Sequence, residues 1–401
     1  MSATQKVDYT VCEPKLYLAL ELGSSNWKCA FSPGLGRKPR LRNVAAGAIW
    51  GLMEEIKTAK KRFGLATDTP IVSCFEIGRD GFWIDRALRS GGIHNVVVES
   101  ASIEINRRRR RRKTDRLDAT KLWNMQMRFD LGEDHVWQVV NVPTVQEEDA
   151  RQLHRELMTI RRDRTRLVNQ IKGLLAAQGV QLKLDKRFLQ SLEGARLFDG
   201  QPLPEGLNRR LQRAFQRLVF IDSQAREMEK ERIDQLRQSS DHSAEIARSL
   251  LMLQGIGINS AWLYSKEIFA WRRIRNRREL ASLVGLTPTP YDSGESQRDQ
   301  GISKAGSRWV RAMAIEIAWS WLRNQPQSKL SLWYQKRFGG GGSRQRKIGI
   351  VALARRLLVA LWKYVETGEI PEGARLTNWE SKLVCKSTLA AAQGTVGFFK
   401  G

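Results

Sequence analysis

The chain has 401 residues, with 68 lysines and arginines against 42 acidic residues and a formal net charge of +26. An apolar fraction of 41% suffices for packed cores and argues against wholesale disorder. A positive surplus of this size repels itself unless a polyanion neutralises it, so nucleic acid is the expected partner. Membrane binding is not expected. The best apolar stretch, IVALARRLLVALW, is interrupted by Arg355 and Arg356, and MSATQKVDYT lacks the layout of a signal peptide. Cys12, Cys29, Cys74 and Cys385 are scattered without a CxxC pair, which predicts small buried apolar residues in a reducing cytoplasm.

In chain order, LYLALEL (16–22) predicts a strand and SSNWKCAF its hairpin return. A helix is expected around AAGAIWGLMEEIKTAKKRFG, ending on a glycine suited to a left-handed cap. IVSCFE (71–76) predicts a second buried strand, GFWIDRALRSGG a helix stopped by glycine, and NVVVES (95–100) a third strand. That order is α/β with a central sheet. NRRRRRRKTDRLDATKL (106–122) then places Arg107, Arg108, Arg109, Arg110, Arg111, Arg112 and Lys113 before Asp115 and Asp118. Thr114 is the expected N-cap of the helix that follows.

From about 145 to 240 the chain reads as long charged helices. Leu153, Leu157, Ile160, Leu167, Ile171 and Leu174 form one apolar seam; Leu211, Phe215, Leu218, Ile221, Ala225 and Met228 form another. With DGQPLPEG as the turn between them, the pair predicts an antiparallel coiled-coil arm, serving as a spacer or as a strut for dimerisation or nucleic acid. LMLQGIGINSA (251–261) reads as a helix-hairpin-helix-like turn or a plain helix–helix turn. LVGLTPTPYDSGESQRDQGISKAGSRWVR reads as a polar, glycine-rich loop leading into VRAMAIEIAWSWL. GGGG at 339–342 reads as a flexible break, 346–366 as a last amphipathic helix, and the mostly α C-terminal region gives way to a tail. The expected domains are 14–140, 141–246 and 247–368, followed by a tail at 369–401.

Phosphodiester chemistry on Mg²⁺ needs carboxylates converging from several segments, and the useful sign is an acid placed on an apolar strand. Glu21 interrupts LALEL and Glu76 ends IVSCFE, while Asp115 and Asp118 share one helix face at i and i+3. Glu99 and Glu104 remain rival candidates. Each acid alone also fits an ordinary strand end or first helical turn.

LALEL, CFEIGRDGFW, KTDRLDA, LQGIGINSA, GLTPTPYDSG and GISKAGS, in this order, resemble the DEDD insertion-sequence transposases over roughly residues 15 to 370. The resemblance implies a RuvC-like, RNase H-type N-terminal domain, a coiled-coil arm and a C-terminal domain with a nucleophilic serine. It implies Glu21, Glu76, Asp115 and Asp118 as ligands of two Mg²⁺ ions, for which Mn²⁺ substitutes. Glu21 departs from the family, which has aspartate there.

Ser293 in YDSGES matches the family's nucleophile, with Ser296 and Ser303 nearby. His94, His135, His154 and His242 all lie far away in sequence, so a Ser-His-Asp triad has no local support. Arg298, Lys304 and Arg308 are near enough in sequence to contact phosphates. The implied reaction is strand exchange between donor and target DNA. It runs through a 5′-phosphoserine link and a Holliday junction, guided by an element-encoded bridge RNA. The two centres lie in different domains and meet across protomers in the family, so a homo-oligomer, a dimer or tetramer acting at the bacterial or archaeal nucleoid, is implied. A RuvC-like junction nuclease that hydrolyses with water, or a non-catalytic nucleic-acid binder, remain alternatives.

Overall fold

The structure is a computed structural model that describes residues 13–34, 36–78, 81–103, 115–293, 296–304 and 306–383; the side chains of 101, 115–116 and 290–300 fall outside that description. The chain divides into two compact units, Met1–Pro143 and Thr144–Gly401.

The first unit is built on a five-stranded mixed sheet. Strands β1 (Leu16–Leu22), β2 (Asn26–Ser32) and β3 (Arg40–Ala45) form an antiparallel meander. Helix α1 (Ile49–Phe63) follows, and Gly64 closes it in the left-handed conformation at φ 67°. Then come β4 (Ile71–Glu76), α2 (Trp83–Ser90) and β5 (His94–Val98), giving the order β3-β2-β1-β4-β5 with β1, β4 and β5 parallel. The edge strand β3 was not expected, because RLRNVA is too polar to read as a strand. Arg40 and Arg42 alternate with Leu41, and both arginines pair with Glu55 of α1.

Helices cover both faces. On one, Arg40, Arg42 and Val44 turn towards α1, and Ser73 and Asn95 join the buried Asp85 of α2 through hydrogen bonds of 2.7 Å each. On the other, helix α3 (Asp115–Asp130) packs Ala119, Leu122 and Met125 against Ala19, Ala30, Cys74, Val96 and Val98. Cys29 and Cys74 are buried and unpaired, as expected of core cysteines, and burial pushes the Cys29 thiol up to about 12. Cys12 and Cys385 lie outside the described residues.

The second unit begins with the short α4 (Val145–Asp149), capped by Thr144 and Glu147, and continues into α5 (Gln152–Ala176). Helix α6 (Phe188–Glu193) precedes the 34-residue α7 (Glu205–Gln238). Arg161 meets Glu229 at 2.5 Å and Arg164 meets Asp222 at 2.6 Å, so rising numbers on α5 face falling numbers on α7 and the helices are antiparallel. Their connection is more than the expected turn. Val180, Leu184, Phe188, Leu192 and Leu203 form a small core with Leu211 and Phe215, which continues the apolar seams of the two helices into their connection.

Beyond the arm, α8 (His242–Met252), α9 (Ile258–Tyr264), α10 (Arg277–Val284), α11 (Arg308–Asn324), α12 (Lys329–Tyr334) and α13 (Ser343–Thr367) enclose the largest core, around Trp262 and Trp321. Two expectations fail here. The glycine-rich segment is not an open loop: Pro288–Ser293 (β6) and Ser296–Ile302 (β7) pair as an antiparallel hairpin. Pro288 and Pro290 hide it in the sequence, since proline is admitted only on strand edges or at irregularities, and the register shifts between these two. Nor is 369–383 a loose tail. Leu376 bridges Leu253, Thr377 N donates to Met252 O at 2.7 Å, and Leu383 is buried. The glycine run at 339–342 links a π-type turn, Gln335–Gly339, to the start of α13. Among the described residues no helix is long and apolar enough to cross a membrane.

Candidate functional site

The acids of the first unit are placed by strand register and by the direction of α3. Leu20 pairs with Phe75, so Glu21 and Glu76 follow as neighbours at the C-terminal ends of the parallel strands β1 and β4. They share parity with Ala19 and Cys74, which puts both on the face covered by α3. The direction of α3 is fixed at two points. Near its end, the Asp130 carboxylate accepts from Tyr17 Oη at 2.6 Å and from Lys15 Nζ at 3.0 Å, at the start of β1. Near its middle, Leu122 O accepts from Cys74 Sγ at 3.9 Å. The helix therefore runs back along the strands. One turn before Leu122, Asp118 lies about 6 Å further along, and Glu21 and Glu76 lie about 7 Å beyond Ala19 and Cys74, so the three reach one level.

Glu21, Glu76 and Asp118 are each half-buried, and Asp118 Oδ2 is buried without a hydrogen-bond partner. An unmatched carboxylate oxygen is costly, and like charges on adjacent strands repel. A bound divalent cation relieves both, and oxygen donors of this kind suit Mg²⁺ or Mn²⁺. The residues present thus fit the metal. Among the described residues no three ligands stand preassembled, and Asp115, whose side chain falls outside the description, opens the same helix. Of the rivals, Glu99 has the parity opposite to Val98, which pairs with Glu76. Glu104, Arg107–Arg112, Lys113 and Thr114 lie outside the described residues.

In the second unit Ser293 ends β6, paired with Ser296 across the turn of the hairpin. The motif residues around it hold the hairpin's base. Gly285 caps α10 at φ 70°, and Lys304, itself at φ 56°, donates its N–H to Gly285 O at 3.1 Å. A Cβ at Gly306 would stand 1.9 Å from Leu283 O, so only glycine fits there. Ser307 then caps α11 by accepting from Val310 N at 3.4 Å. Gly285, Gly306 and Ser307 of GLTP and SKAGS are therefore explained by backbone closure and helix capping.

The family model for the transposases described as "Transposase IS116/IS110/IS902 family" matches residues 247–332, which contain the whole hairpin. A putative transposase, y4rJ, of Sinorhizobium fredii is 41% identical over 374 residues, covering 90% of this chain and 94% of that protein. The chain belongs to the IS116/IS110/IS902 transposase family. A probable family 20 transposase of Pseudomonas aeruginosa is 28% identical over 56% of this chain and 65% of its own length. The transposase for the element IS1328 of Yersinia enterocolitica is 26% identical over 54% and 63%.

The basic residues of this transposase do not all gather at Ser293. Arg298 pairs with Tyr291, two residues from the hairpin tip. Lys304 and Arg308 are exposed, but they follow the Pro288–Ile302 end. Extended strands rise about 3.3 Å per residue, so the base stands roughly 17 Å from the tip. Nearness in sequence does not survive an extended hairpin.

One residue escapes a reading by motif. Lys28 of β2 is directly opposite Glu21, with Asn43 of β3 opposite Lys28 on the other side. The row Asn43–Lys28–Glu21 thus crosses the sheet on the face of α3. Lys28 is half-buried and makes no ion pair among the described residues. Only the strand register identifies it.

Proposed function

We propose that this transposase cuts and exchanges DNA strands using the carboxylate end of a RuvC-like first unit and the Ser293 hairpin of the second. The observation that carries the first half is the convergence of Glu21, Glu76 and Asp118 on one face, with a buried carboxylate oxygen left unmatched. With Asp115 they would hold two Mg²⁺ ions, which when bound activate an attacking oxygen and stabilise a leaving one. Ser293 Oγ attacks phosphorus and forms the 5′-phosphoserine ester. The bond to the 3′ oxygen breaks, that oxygen takes up a proton, and the serine proton passes to water. The freed 3′-hydroxyl then attacks the partner strand.

A structured RNA encoded beside the element is proposed as the guide that pairs with donor and target DNA, and a homo-oligomer as the working form. The net charge of +26 supports partners of high negative charge. Lys28, opposite Glu21 and without an ion pair among the described residues, is proposed to hold a phosphate next to the scissile one.

The test combines the full chain, RNA transcribed from the flanks of its element, cognate DNA and Mg²⁺, read on a denaturing gel. A protein–DNA adduct that disappears in Ser293→Ala is the expected result. Cleavage that persists in Ser293→Ala points to a water-dependent junction nuclease, and no cleavage in any arm points to a binding protein.

A further inference from the structure

Lys382 sends its ammonium into the connection between α8 and α9. It donates to Leu251 O at 2.5 Å, Leu253 O at 2.8 Å and Ile256 O at 2.9 Å. An ammonium has three protons to donate, and here each finds a main-chain oxygen. The last turn of a helix leaves carbonyls without helical partners, and their partial negative charge attracts cations. Among the described residues no carboxylate pairs with Lys382, so the carbonyls alone hold this charge. Burial pulls the ammonium down to about 8, which still leaves it protonated at neutral pH.

The surrounding backbone holds the occupant in place. Gln254 N donates to Arg375 O at 3.0 Å, Thr377 N donates to Met252 O at 2.7 Å, and Gln325 Nε2 bridges Gln254 O and Arg375 O. The turn is also tied to the arm: Asn259 Oδ1, in the first turn of α9, accepts from the buried Arg232 of α7 at 2.8 Å. The three oxygens lie inside the span 247–332 that the family model matches, whereas Lys382 lies outside it.

We propose that Leu251 O, Leu253 O and Ile256 O form a monovalent-cation site whose built-in occupant is the Lys382 ammonium. Rings of main-chain carbonyls are the usual means of replacing the water around a potassium ion, and ammonium is close to potassium in size. Without the lysine head group, the site takes up potassium or ammonium from solution. The C-terminal segment is thus a tethered cation that sets the shape of the α8–α9 turn.

The test is thermal unfolding of full-length Lys382→Met in chloride salts of choline, lithium, potassium and ammonium at constant ionic strength. In choline the variant is expected to melt roughly 3–10 °C below the wild type, because three charge-assisted hydrogen bonds are gone. Potassium and ammonium restore at least half of that loss, lithium does not, and the wild type responds equally to all four. A variant as stable as the wild type in choline, or one equally weakened in every salt, overturns the proposal. Lys382→Gln, which keeps two donors, covers the case in which the methionine variant fails to fold. It should lose less than the methionine variant and respond less to potassium. A glutamine variant that folds and is indifferent to the cation, beside a methionine variant that folds in no salt, also overturns it.

Discussion

Glu21 and Ser293 both stand at the end of a β-strand, but the strands differ in what supports them. Strand β1 is paired on both sides within five strands and is covered by α3. Among the described residues strand β6 pairs with β7 alone, and a two-stranded ribbon has little stability of its own. The acids are therefore positioned by a packed sheet, whereas the serine hairpin is positioned from its base. Gly285, Lys304 and Gly306 lock the backbone there, and Ile302 packs against the core. Tight placement suits metal ligands.

The largest effect is expected at Asp118. Asp118→Asn should lower DNA cleavage by about 10²–10³-fold while the melting temperature holds or rises, since a half-buried carboxylate with one unmatched oxygen is replaced by a neutral group. A large drop in melting temperature would make Asp118 a structural residue instead. At the other centre, Gly306→Ala forces a methyl against Leu283 O at a φ of +75°. It should cost unit 2 at least ~2 kcal/mol and reduce adduct formation, leaving metal binding by the acids unchanged. Loss of both properties together would deny the independence of the two supports.

Acid separates the units differently. His154 is buried on α5, neither ring nitrogen has a hydrogen-bond partner, and burial followed by the nearby Arg232 lowers its pKa to about 4. The unfolded chain takes up that proton near pH 6.5, so the second unit keeps its full stability above that pH. It loses about 3 kcal/mol as the pH falls to 4. Denaturant unfolding of the wild type and of His154→Leu across that range checks this; the variant should lose the dependence. In the first unit, burial raises the Asp130 pKa, but the Tyr17 and Lys15 hydrogen bonds outweigh it and hold the carboxyl below its ordinary value. That contribution is present at neutral pH and lost only below about pH 4. The smallest effect is expected at Lys28. Lys28→Met should slow cleavage about tenfold and spare metal affinity, whereas equal losses in both would make it a partner of Glu21 rather than of phosphate.

How much of this was legible in the sequence depended on where each element finds its partners. LYLALEL, IVSCFE and NVVV are predominantly apolar runs, and Gly64 is a recognisable cap, so β1, β4, β5 and α1 fall close to their expected bounds. Strand β3 is held by Glu55 on a helix, β6 and β7 are masked by prolines, and 369–383 is fixed mainly by backbone hydrogen bonds, which leave no periodic trace. The acids Glu21, Glu76 and Asp118 were legible as types and spacings. That Lys28 stands opposite Glu21, and that Lys304 and Arg308 sit at the far end from Ser293, follows only from register.

The acids at the end of the sheet are proposed to hold a divalent cation, and calorimetric titration of the full-length protein with Mn²⁺ reads that binding without any DNA step. Wild type and Ser293→Ala should bind Mn²⁺ alike, and Glu76→Gln and Asp118→Asn should each lose about tenfold or more in affinity. Undiminished Mn²⁺ binding by Asp118→Asn would mean that these acids do not hold the metal.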